Sequence, residues 1–170
     1  KAKGVAQVLT DYILQDRKPP SDREKAVIEF VRYEAIAALG KFRDMSLRKT
    51  KTEVIARPAH GLLRVITQDA VASPPFTLKE RTEAVIGLTS MKIDPEADLP
   101  VLGQWVQQLL MEFSATANVD SQNMAKNMTL AILPWRVFAG RLNYGLTSWK
   151  ESAKTLPAAK GGPIIKLADA

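Results

Sequence analysis

Between positions 41 and 64 the chain carries Lys41, Arg43, Arg48, Lys49, Lys51, Arg57 and Arg64. Cations grouped in this way can contact phosphates and bind nucleic acid without reading its sequence, with a steep dependence on salt. Asp44 and Glu53 dilute the group, and no aromatic residue is clearly interleaved with it for base stacking. The other reading of the same residues is a solvated turn between helices. His60 is the only histidine, so a Ser-His-Asp triad or a histidine metal site would have to be assembled around it. Arg57 and Arg64 fall on its helical face and disfavour a bound cation, so it is read as a surface residue of a helix.

The remaining chemistry is ruled out by type or by spacing. There is no cysteine, which excludes disulfides, thiolate zinc sites and thiol nucleophiles and leaves the compartment open. Asp94, Glu96 and Asp98 stand before a helix start, where carboxylates complement the helix dipole, and their loop lacks the glycine and spaced oxygen ligands of an EF-hand. The glycine pair of "KGGP" near the C-terminus is not a phosphate-cradling loop. Asn127-Met128-Thr129 fits the glycosylation triplet but falls inside an expected helix. The expectation is a protein that is not an enzyme, with no metal, no cofactor and no small-molecule substrate.

With 170 residues, 46% of them hydrophobic and 25% charged, the chain has the length of about one domain and a composition able to build a core. A net charge of +6 suits an acidic partner or simple solubility. No run approaches the roughly 18 apolar residues of a membrane-spanning helix. The chain opens at Lys1 without a methionine and without a signal-peptide pattern, the expectation being a processed form or a fragment.

Apolar spacings of three and four predict helices throughout, and no segment alternates with the period of two that a half-buried strand needs. The first covers 5–15, with Val5, Val8, Leu9, Tyr12 and Ile13 inward, and ends at Pro19 and Pro20. The second is capped by Ser21 or Asp22 and turns Val27, Ile28, Val31, Ala35, Ala38 and Leu39 inward. The third covers 50–72, with Val54, Ile55, Ala59, Leu62, Leu63 and Ile66 inward, and is kinked or broken at Pro58. Thr77 caps a fourth through residue 91. A fifth covers 99–117. A sixth covers 121–152, bent at Pro134, and buries Trp135, Phe138, Leu142, Leu146 and Trp149. Residues 155–170, with two prolines and a glycine pair, are expected to be irregular, with Ile164, Ile165 and Leu167 free to dock on a neighbour.

"RYEAIAALG" from Arg32 aligns with "RTEAVIGLT" from Arg81 at a spacing of 49 residues, and "REKAVIEF" from Arg23 aligns with "RTEAVIGL" at 58. Both spacings exceed the roughly 40 to 47 residues usual for HEAT and armadillo units. The stretch "VRYEAIAALGKF" resembles the second helix of a HEAT repeat, in which an arginine and two small residues precede a Leu-Gly ending. The proline of the third helix is similar to the proline-kinked first helix of that family. The resemblance is strongest over 27–42 and fades beyond 98. It implies an all-α fold, a short right-handed α-α superhelix of about three HEAT-like antiparallel helix pairs over 1–154. It transfers no catalytic residue. The function it implies is a protein-protein interaction or scaffold module holding a protein partner or neighbouring subunits. The alternative is a nucleic-acid-binding domain that uses the basic surface around 41–64. Trp105, Trp135, Tyr144 and Trp149 are candidate partner anchors or core residues.

Overall fold

A computed structural model of the chain describes residues 4–42, 58–67, 72–91, 107, 111–112, 115 and 132–169. Among the described residues every regular element is an α-helix, as the periodicity predicts. The chain divides into two compact units, Lys1–Asp98 and Leu99–Ala170.

The first unit holds α1 (Val5–Leu14), α2 (Asp22–Gly40), α3 (Pro58–Thr67) and α4 (Leu78–Thr89). Local chemistry sets their ends. The Ser21 hydroxyl accepts the Glu24 amide of α2 at 3.3 Å, and Asp22 and Glu24 lie where the positive end of the helix dipole favours them. At α4, Thr77 and Glu80 form a capping box, each side chain accepting the other's backbone amide. Pro58 is the first described residue of α3. The expected helix positions before it, 50–57, lie outside the described residues.

α2 packs on α1, α3 and α4, and α3 packs on α1 and α4. Contacts between α2 and α4 join Arg32 to Glu80, Tyr33 to Glu83 and Gly40 to Gly87. Partners therefore advance together along both helices, and α2 and α4 run in the same direction. α3 lies against the later part of α4, where a Cβ at Gly87 would stand 3.2 Å from the Leu62 side chain. The core between them is Ile13, Ile36, Leu39, Leu62, Val65, Ile66, Val85 and Leu88.

Burial separates the two possible repeat spacings. At 49 residues, Arg32, Ala35, Ile36 and Leu39 match Arg81, Ala84, Val85 and Leu88, and all eight are buried. At 58 residues, exposed Val27 and Phe30 would match buried Val85 and Leu88.

Two expectations about burial are corrected. Val5 and Val8 are exposed; Thr10 is drawn against Gly61 of α3, which rotates the covered side of α1 toward Thr10 and Ile13. Val27 and Val31 are also exposed, because the side of α2 that carries Arg32 is the one held by α4. In α4, Glu80 through Thr89 are all buried, so from Glu80 onward the helix is enclosed on every side. Two of its hydroxyls find partners locally: that of Thr82 donates to the Leu78 carbonyl at 2.8 Å and that of Thr89 to the Ile86 carbonyl at 3.2 Å.

The second unit contains α5 (Ile132–Ala153) and α6 (Ala158–Asp169), which pack together. Leu142, Trp149, Ala153 and Ile164 are buried there and Leu146 is half-buried. The tail 155–170 is thus not irregular. The Pro157 carbonyl accepts the amides of Lys160 and Gly161 and starts α6, and Gly161 lies against the Ala153 carbonyl, where any side chain would collide. Its glycine serves close packing of two helices, not a break between them. Pro134 lies within α5, whose first described residue is Ile132. The expected fifth helix and residues 121–131 lie outside the described residues, apart from helical positions at 107, 111–112 and 115.

Candidate interaction surface

α2 is held on one side by a buried polar junction. The Arg32 guanidinium is fully buried and forks onto Glu80, Nε donating to Oε1 at 2.5 Å and Nη2 to Oε2 at 2.8 Å. Its other donors reach the carbonyls of Pro74 at 2.6 Å and Pro75 at 3.1 Å. Phe76 covers the guanidinium, its ring centre 4.6 Å away. Glu80 also accepts the amide of Thr77 at 2.7 Å and its hydroxyl at 2.9 Å. One carboxylate thereby starts α4 and anchors α2.

A second close approach lies two turns further on. A Cβ at Gly40 would stand 2.7 Å from the Gly87 Cα, and one at Gly87 would stand 2.8 Å from the Gly40 Cα. Both positions need glycine because the obstacle is backbone, which has nowhere to move. Ser90 closes this end, its hydroxyl donating to Gly87 at 2.7 Å and Gly40 at 3.2 Å.

With about 100° per residue, Arg32, Ile36 and Leu39 fall within about 60° of one another on the covered side of α2. Arg23, Val27, Phe30 and Glu34 occupy a sector of about the same width on the opposite side, with Val31 at its edge. That sector faces solvent: Val27 is 55%, Phe30 64% and Val31 40% exposed. Three large apolar side chains within two turns of one helix exceed the scattered single residues of an ordinary surface and have the form of a docking row. On α5, Val137 and Tyr144 are exposed seven residues apart.

Of the predicted anionic-partner patch, Lys41 is exposed just after α2, and Arg64 is half-buried on α3, as is His60. Arg64 and His60 both have interaction partners within the chain. Arg43, Arg48, Lys49, Lys51 and Arg57 lie outside the described residues, as do Asp94, Glu96, Asp98 and Asn127. Of the four aromatic anchors, Trp149 is buried and Tyr144 exposed, while Trp105 and the Trp135 side chain are outside the described set. Among the described residues no group of three or more acidic or histidine side chains is placed to hold a metal ion. Among the same residues no helix is long and apolar enough to cross a membrane.

Spacing alone places Val27 and Val31 inward with Leu39, yet Phe30 shares a face with Val27 and lies opposite Leu39, and that opposition is the sequence signal of the outer row. A helix with two opposed apolar rows has either a partner on each side or one side left open. No protein-family model, no curated protein and no solved structure matches the chain significantly.

Proposed function

We propose that the chain is a non-enzymatic interaction or scaffold module, built as a HEAT-like right-handed superhelix and holding a protein partner or neighbouring subunits through the outer side of α2. The observation that carries this reading is the exposed row Val27, Phe30 and Val31 on a helix whose other side is fixed by the Arg32–Glu80 junction. Covering these three partly exposed apolar residues with a partner gains about half of the roughly 1.5–3 kcal/mol that full burial of each would give. The stacked architecture is supported by the shared direction of α2 and α4 and by the matched burial at a spacing of 49 residues. Each pair in such a stack buries its apolar stripe on the next and leaves helix faces open along an extended surface.

Phe30 is exposed, so a photo-crosslinking analogue such as p-benzoylphenylalanine can replace it without disturbing the core. The expected outcome on illumination in a native extract is a covalent adduct to protein at this position. Adducts to nucleic acid alone, or no adduct under any condition, would overturn the reading.

A further inference from the structure

The outer row of α2 is bounded by charges of opposite sign. Along it stand Arg23, Val27, Phe30 and Glu34, at intervals of four, three and four residues, flanked by Ala26 and Val31, and all six are exposed. The row is complementary to itself when reversed. If an identical helix is laid alongside in the opposite direction, centred between Ile28 and Glu29, Arg23 meets Glu34, Ala26 meets Val31 and Val27 meets Phe30. The remaining three positions repeat these pairs by symmetry. Small faces branched, branched faces aromatic, and cation faces anion at both ends.

We propose that this face pairs two copies of the chain, α2 against α2, antiparallel about a two-fold axis. An isologous contact requires a surface that matches its own reverse, and this row does. Intervals of three and four residues form the seam along which two helices pack at a small crossing angle, with axes about 8–10 Å apart. Arg23 and Glu34 lie about 16 Å apart along the helix axis, too far to pair within one chain. Across the two-fold each finds the other, so their signs have a use in the dimer that they lack in the monomer. A row of three turns covers less than the roughly 800 Å² per partner of a stable complex, so the dimer is weak and forms with rising concentration.

This pairing specifies a partner for the interaction module proposed above and rests on that reading. The test is sedimentation velocity over a concentration series of the full chain and four variants. The unaltered chain is expected to pass from monomer to dimer as concentration rises. Arg23→Glu and Glu34→Arg each place like charges opposite one another and are expected to raise the dimer Kd about tenfold. The double variant R23E/E34R reverses both ends and is expected to restore the dimer. An equimolar mixture of the two single variants is expected to form a mixed dimer, because each then meets its complement. Phe30→Asp is expected to leave the unfolding transition in place and abolish the dimer. A monomer at all concentrations, or a double variant no better than the singles, would overturn the pairing. A crosslink from position 30 to a different protein would also overturn it, while leaving the broader interaction reading intact.

Discussion

Arg32 decides which way α2 faces. Its guanidinium makes four hydrogen bonds to one carboxylate and two carbonyls, so its removal takes a donor from all three groups at once. Arg32→Met is expected to cost about 3–5 kcal/mol, the range for breaking a buried pair from one side, measured by urea unfolding. Arg32→Lys is expected to recover only part of that, because an ammonium group cannot fork onto a carboxylate and reach both carbonyls. Lys154→Ala provides the contrast: it deletes an exposed pair with Glu151 and is expected to cost about 1 kcal/mol or less. An unfolding midpoint unchanged by Arg32→Met would remove the junction from the account. The sequence could mark Arg32 as recurring in "RYEAIAALG" and "RTEAVIGLT", but not as buried. Its partner lies 48 residues away, and nothing local to Arg32 identifies Glu80.

Among the elements, α2 and α4 are set by two contacts of different kinds, the ion pair at one end and the glycine pair at the other. Gly87→Ala would put a methyl group into the Gly40 backbone, so the helices must separate; the expected cost is about 1–3 kcal/mol. Gly140→Ala on α5 has open space around it, and there the usual helix gain of about 0.5–1 kcal/mol is expected instead. Thermal unfolding of both variants checks the pair, and equal shifts of the same sign would contradict the close approach. Helix ends were legible wherever a cap is local, as with Ser21 and Thr77. They were illegible where tertiary packing overrides composition: the glycine pair and two prolines of the tail signal a coil, yet α6 forms because Gly161 allows it to lie against α5. The inward face of α2 was half legible. Leu39 and Ala35 were placed correctly, but Val27 and Val31 satisfy the same spacing on a helix with apolar residues on both sides, and spacing alone cannot say which side a neighbour covers.

At the scale of the whole molecule, helix content was written in the periodicity, while the division at Asp98 and Leu99 was not, because a unit boundary depends on which helices meet. The candidate site was read least well. The conspicuous sequence feature was charge at 41–64, where a cluster stands out in composition; the row on α2 is a matter of angle around one helix and shows only once the opposite side is known to be occupied. The account therefore turns on α2 having one face locked in the fold and one face open. Carbene footprinting of the intact chain at high dilution, read residue by residue by mass spectrometry, tests this directly. Heavy labelling of Val27, Phe30 and Val31 with protection of Ile36, Leu39 and Leu88 is the expected result. Protection of Phe30 at high dilution, or labelling of Ile36 and Leu39 equal to it, would contradict the account.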